Sequence, residues 1–158
     1  MFDTVIKGGT IYTPERTFVG DIGISDEKIA QIKEDGGLEG THTIDATGKS
    51  VYPGFIDPHV HIHLPFMGTN AIDDHESATK AALVGGTTTI IEMICPGPDD
   101  EPEKAFLEWK ELAEVGCCCD FTFHLAVVRF DELAKQQLRE LVSNEGVQSF
   151  KIFLAYKA

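Results

Sequence analysis

Basic residues are scarce in this chain: 13 lysines and arginines stand against 26 aspartates and glutamates, for a formal charge of −13. That deficit argues against partners that need a basic patch, nucleic acid and anionic membrane among them. It describes instead a solvated, self-repelling surface. No run of about 18 apolar residues occurs, which excludes a transmembrane helix. Met1-Phe2-Asp3-Thr4 opens the chain without the basic and apolar regions of a signal peptide. Cysteine is sparse and badly spaced for chemistry. Cys95 stands alone, and Cys117, Cys118 and Cys119 are contiguous, which is no zinc-ligand spacing. Without an export signal a disulfide framework is not expected either. These absences point to reduced cysteines in a cytoplasmic protein. Internal repeats and low-complexity tracts are lacking as well. What remains, 42% hydrophobic and 25% charged over 158 residues, is enough to fold around an ordinary core.

Two patterns divide the chain. Residues 1–52 carry short strand-like runs with frequent turns: Phe2–Lys7 followed by Gly8-Gly9, then Phe18–Ile24, Lys28–Ile32 and His42–Asp45. Turn signals stand at Asp26-Glu27, Gly36-Gly37 and Gly48-Lys49. A small β-sandwich segment is the expectation for 1–52. From residue 53 apolar runs alternate with helical periods. Gly54–Asp57 reads as a buried strand, Thr87–Ile94 as a second, Asp120–Val127 as a third and Ser149–Ala155 as a fourth. Between them lie helices capped at Asp73 or Asp74 and running to about Val84, then near Glu103–Val115 and over Asp131–Asn144. In the last helix Leu133, Leu138, Leu141 and Val142 share the expected apolar face. Strand–helix alternation signals parallel βαβ units. Four such strands over 53–158 make the first half of an eight-stranded barrel, whose whole takes about 250 residues. The chain is therefore expected to be a truncated piece of an α/β protein.

The sharpest chemical feature is Asp57-Pro58-His59-Val60-His61-Ile62-His63. Histidines at i and i+2 in extended chain point the same way, so His59 and His61 can grip one metal ion. Packing or surface histidines are the bland alternative. Placement after an apolar strand favours the metal, because barrel chemistry sits at the carboxyl ends of strands. His63 could extend the row, although Pro65 suggests that the strand has ended. Lys151 is the second feature, a lysine inside the apolar run Phe150–Ala155. Burying an ammonium is costly, so the side chain must snorkel, find a partner or lose its charge. A neutral amine can capture carbon dioxide as a carbamate, which suits a bridge between two metals. His124 reads as a packing or supporting residue rather than a ligand. His42 and His75 fall in a turn and at a helix start, where solvated side chains are expected. Glu92 and Asp57 are read as structural carboxylates.

In combination these motifs resemble a known family. His59-x-His61 after Gly54-Phe55-Ile56-Asp57, the loop Pro65-Phe66-Met67-Gly68-Thr69, Gly85-Gly86-Thr87-Thr88, and Ser149-Phe150-Lys151 with Tyr156-Lys157 look like the amino-terminal part of the dihydropyrimidinase/D-hydantoinase branch of the cyclic amidohydrolases. The resemblance implies hydrolytic opening of a dihydropyrimidine or hydantoin ring to an N-carbamoyl amino acid. It implies that His59 and His61 bind the more buried of two divalent metals, usually zinc, and that Lys151 is carboxylated and bridges both. Tyr156 would bond the substrate and the developing oxyanion, while Leu64, Phe66 and Phe153 would line the pocket for the ring substituent. A homo-oligomer, a tetramer, is implied too. The family's two further metal-binding histidines and its catalytic aspartate lie on later strands, and an acidic or amide residue often occupies the position of His63. The alternatives are an allantoinase- or dihydroorotase-like hydrolase, and a non-catalytic scaffold of the collapsin-response mediator kind.

Overall fold

The first strand runs past the glycine pair that should have ended it. In the computed structural model, which describes residues 1–66 and 68–155 (backbone alone at residue 66), β1 spans Phe2–Tyr12. Its pairing with β2 (Thr17–Ser25) slips between Ile6 and Gly9, a bulge that Gly8 turns with φ of +69°. The bulge is pinned by a carboxylate from the neighbouring strand. Asp21 accepts the Gly8 amide at 2.9 Å through one oxygen and the Leu38 amide at 3.0 Å through the other. Asp26 and Glu27 both adopt positive φ in the tight turn from β2 to β3 (Lys28–Glu34), as two-residue hairpin loops require. β4 (Gly40–Asp45) and β5 (Ser50–Val51) then line up parallel to successive halves of β1. The result is one mixed sheet in the order β3-β2-β1-β4, with β5 also on β1. Val5, Ile11 and Ile22 are its buried apolar residues, and Leu38 and Ala46 are buried in the connections beside it. His42 lies in β4, not in a turn.

Residues Met1–Pro53 form one compact unit and Gly54–Ala158 a second. The second holds the βαβ alternation expected for it. Its four-stranded sheet has the order β11-β10-β9-β6, with every neighbouring pair parallel. β6 covers Phe55–Val60, β9 Thr87–Ile94, β10 Asp120–Ala126 and β11 only Phe150–Lys151. A small hairpin, β7 (Pro65–Phe66) with β8 (Thr69–Asn70), stands between β6 and the first helix. The fold class is the expected one, a β-sandwich segment followed by half of a parallel barrel.

Two of the three helices begin behind a capping aspartate. α1 (His75–Val84) starts behind Asp74, whose carboxylate accepts the Ser77 amide at 2.8 Å while the Ser77 hydroxyl accepts the Asp74 amide at 3.1 Å. α2 (Pro102–Gly116) has proline in its first turn, where the missing N–H costs nothing. α3 (Glu132–Glu140) starts behind Asp131, which accepts the Ala134 amide at 2.8 Å. It ends four residues before Asn144, because Leu141–Glu145 widen into a π-helical turn. That turn buries Leu141 and lets Val147 follow it into the core beside Ile94, Phe106, Phe123, Leu125 and Leu138. The buried face of α3 is therefore Ala134, Gln137 and Leu138 with Leu141. Leu133 and Val142, expected on that face, are exposed.

Two strands differ from expectation in burial. β6 is exposed along most of its length, with Ile56 at 63%; among the described residues it lies at the sheet edge with β9 beside it. The last strand is two residues long, and Ile152 and Leu154 beyond it are 69% and 94% exposed. Lys151 is consequently half-buried at a strand end rather than enclosed in an apolar strand.

Candidate metal site at the strand ends

β6 extends further than the sequence suggested and carries His59 on its last turn of pleat, with His61 just beyond. The two Nε2 atoms face each other at 3.2 Å, and the rings meet edge to face with centroids 5.1 Å apart. Asp57 accepts the His59 amide at 3.1 Å. At His63 the backbone swings to a φ of +52°, which breaks the extended row, so His63 does not continue the alternation of His59 and His61. The loop is then tied down by the His63 amide on the Asp73 carbonyl at 3.1 Å and the Ala71 amide on the Leu64 carbonyl at 2.9 Å. Leu64 is half-buried there.

Lys151 ends β11, paired with Ala126 of β10, and its Nζ sits 4.8 Å from the centre of the Phe153 ring. Its charge acts on His61. Partial burial first, then the His59 and Lys151 charges, push His61 below the ordinary histidine range, against an opposing pull from Glu92. The neutral ring that results is the form that binds metals. His59 and His61 meet at the end of β6, and Lys151 stands at the end of β11, near enough for its charge to act on His61. Tyr156 lies outside the described residues, as does the side chain of Phe66.

The donor set fits a divalent ion. With metal–nitrogen bonds of about 2.05 Å, two nitrogens separated as His59 and His61 are would subtend about 100° at the metal, close to the tetrahedral angle. Among the described residues no cluster of three or more histidine, cysteine or carboxylate side chains forms, so the described donors are this pair with Lys151. The cysteines add nothing. Burial pushes Cys95 up, and it pushes Cys117 up to about 12 with help from Cys119, Glu92 and Cys118. Thiols so raised are inert.

Behind the pair stands a buried polar node that sequence reasoning missed. Glu92 of β9 is 1% exposed and His75 of α1 is 4% exposed. His75 Nε2 donates to one Glu92 oxygen at 2.7 Å. The other oxygen accepts the Trp109 indole N–H at 3.0 Å and the Ile62 amide at 3.1 Å. Ile62 is the residue between His61 and His63, so Glu92 holds the backbone of the histidine loop. His75 is enclosed partly because α2 ends on Gly116, where a Cβ would lie 2.8 Å from the Cβ of His75. A carboxylate inside Thr87–Ile94 was a signal that a partner had to exist, but nothing local named that partner.

A parallel sheet of βαβ units with a histidine pair and a lysine at its strand ends carries them where barrels of this class place their chemistry. The chain is 37% identical to the dihydropyrimidinase of Rattus norvegicus over 158 residues, covering 97% of this chain and 30% of the relative. It is 41% identical to the D-hydantoinase of Geobacillus stearothermophilus, covering 97% of this chain and 32% of that one. Among solved structures it matches the D-hydantoinase (dihydropyrimidinase) from Thermus sp. with a TM-score of 0.91 and 51% identity, over 98% of this chain and 34% of that chain. No family model matches it. The chain spans about a third of the length of these relatives, and what it is similar to is the amino-terminal part of dihydropyrimidinases and D-hydantoinases. Among the described residues no helix is long and apolar enough to cross a membrane.

Proposed function

We propose that the protein containing this chain hydrolyses a cyclic amide, opening a dihydropyrimidine or hydantoin ring to an N-carbamoyl amino acid. The observation that carries the reading is the convergence of His59 and His61 Nε2 at 3.2 Å where β6 ends. Similarity to enzymes named for these ring substrates supports it. Two divalent ions, zinc in this reading, would supply an activated water and polarise the ring carbonyl. His59 and His61 would hold one ion. Lys151 would bridge both as a carbamate, formed when its neutral amine attacks carbon dioxide: an N–C bond forms as one C=O π pair moves onto oxygen, and one N–H proton leaves to solvent. Tyr156 would donate to the carbonyl oxygen as charge develops on it. Leu64, Phe66 and Phe153 would face the ring substituent. Residues 1–52 would be a supporting segment and 53–158 the site-bearing one, in a cytoplasmic homo-oligomer that takes small molecules and neither nucleic acid nor membrane.

The test uses the protein made from its complete reading frame. Elemental analysis should find about two divalent ions per chain. His59→Ala and His61→Ala should each lower that content. Lys151→Ala should lose ring-opening activity and much of the metal, and Lys151→Arg should do no better, since a guanidinium cannot be carboxylated and stays charged. A short carboxylic acid added to the Ala variant should restore some turnover by occupying the vacated bridge. Unchanged metal in both histidine variants, or near-normal turnover in Lys151→Ala, overturns the reading.

A further inference from the structure

We infer that His124 is a positioning residue whose two ring nitrogens tie the segment carrying His59 to the segment carrying Lys151. The inference rests on the metal-site reading above. His124 lies within β10. Its Nε2 is 2.9 Å from the carbonyl oxygen of Pro58, the residue before His59. Its Nδ1 meets the hydroxyl of Ser149, two residues before Lys151. A carbonyl can only accept, so Nε2 carries the proton, and Nδ1 presents a lone pair to which the Ser149 hydroxyl donates. One neutral tautomer satisfies both partners, and both nitrogens are used.

The Pro58 bond has a structural reason. The ladder between β6 and β9 pairs Asp57 with Ile90 and then Val60 with Glu92, skipping Pro58 and His59. Proline has no N–H to give a ladder, and strand irregularities beside sites re-aim side chains. At this irregularity the strand leaves regular pairing at the residue that must be aimed. β9 separates β10 from β6 in the sheet, so no backbone ladder joins those two strands. His124 reaches across and takes the Pro58 carbonyl, with its ring centroid 6.4 Å from that of His59. On its other side Ser149 sits where the chain joins β10, with the Leu125 amide on the Ser149 carbonyl at 3.2 Å. The same ring therefore sets where His59 and Lys151 stand relative to each other.

Three substitutions separate this role from packing, made in the protein from its complete reading frame. His124→Gln extends an amide N–H to about where Nε2 lies and keeps the Pro58 bond. His124→Asn is shorter, reaches only Ser149 and loses Pro58. His124→Phe keeps the ring and loses both bonds. Metal-free protein is titrated with Co²⁺ against a competing chelator, and the visible spectrum of the bound ion is recorded with the melting temperature of each metal-free variant. The Asn and Phe variants should bind Co²⁺ about 10–100-fold more weakly with an altered spectrum, and the Gln variant should stay within about threefold of wild type. Should His124→Phe fail to fold, Ser149→Ala decides alongside Gln and Asn, with a smaller loss and a shifted spectrum expected. Wild-type Co²⁺ affinity and spectrum in the Asn and Ser149→Ala variants overturn the positioning role. So does an equal loss in Gln and Asn, which marks a packing role. A wild-type protein that binds no Co²⁺ overturns the metal-site reading itself, and the inference falls with it.

Discussion

β6 and β9 are neighbours in one sheet, and both read in the sequence as apolar strands, yet they live in different surroundings. Ile90 of β9 is 2% exposed, whereas Ile56 of β6 is 63% exposed. Among the described residues β9 has a strand on each side, and β6 has one. Their polar residues differ in the same sense. Glu92 on β9 is sealed in and has each oxygen committed to a donor, while the histidines that end β6 are exposed and face each other. A fully satisfied buried carboxylate is a structural device. An accessible pair of imidazoles facing each other is available for a ligand. The rigid strand thus supports the chemistry that its edge neighbour presents.

The largest expected effect tests the sealed side. Glu92→Ala removes the acceptor of three donors at once, and urea unfolding should show a loss of about 3–5 kcal/mol. A loss no greater than an ordinary surface change would mean that the node bears little of the fold's stability. A matched pair sharpens the contrast: Ile90→Ala should cost about 2–5 kcal/mol, and Ile56→Ala within about 0.5 kcal/mol. A comparable cost at Ile56 would show that β6 is covered by a partner in the protein as assayed. The smallest effect concerns the other buried carboxylate, Asp21. Burial raises its pKa, but the Gly8, Leu38 and Gly37 amides and the Lys7 charge outweigh this and bring it below the ordinary aspartate range. A depressed folded-state pKa stabilises above the unfolded value of about 3.9 and is lost as pH falls through the folded value. Wild-type stability should therefore hold above about pH 4 and decline below it, and Asp21→Asn should flatten that decline. An identical acid limb in the variant would remove Asp21 from the account.

Much of this was written locally. Thr87–Ile94 is a strand between the residues the sequence suggests, and Asp74, one of the two aspartates offered as a cap, caps α1. The meeting of His59 and His61 follows from strand periodicity alone. Several departures depend on residues distant in sequence. β1 continues through Gly8 only because Asp21 anchors the bulge from the next strand. His75, expected in solvent at a helix start, is drawn inward by Glu92, which comes 17 positions later. The apolar run Ser149–Ala155 looks like a buried strand, yet among the described residues it has ladder partners only at Phe150 and Lys151. Periodicity tells which residues could face a core, and the neighbours decide whether one is there.

The chain has a single tryptophan, and its indole N–H is spent on the same Glu92 oxygen that holds the Ile62 amide. The chromophore is thereby wired to the loop on which His61 stands, one acceptor atom away from its backbone. Any event that shifts that loop must lengthen, shorten or reorient one of two bonds to a shared oxygen, and indole emission responds to such changes in its polar surroundings. Within this chain Trp109 is an optical gauge for the strand ends, readable without a label and without a substrate.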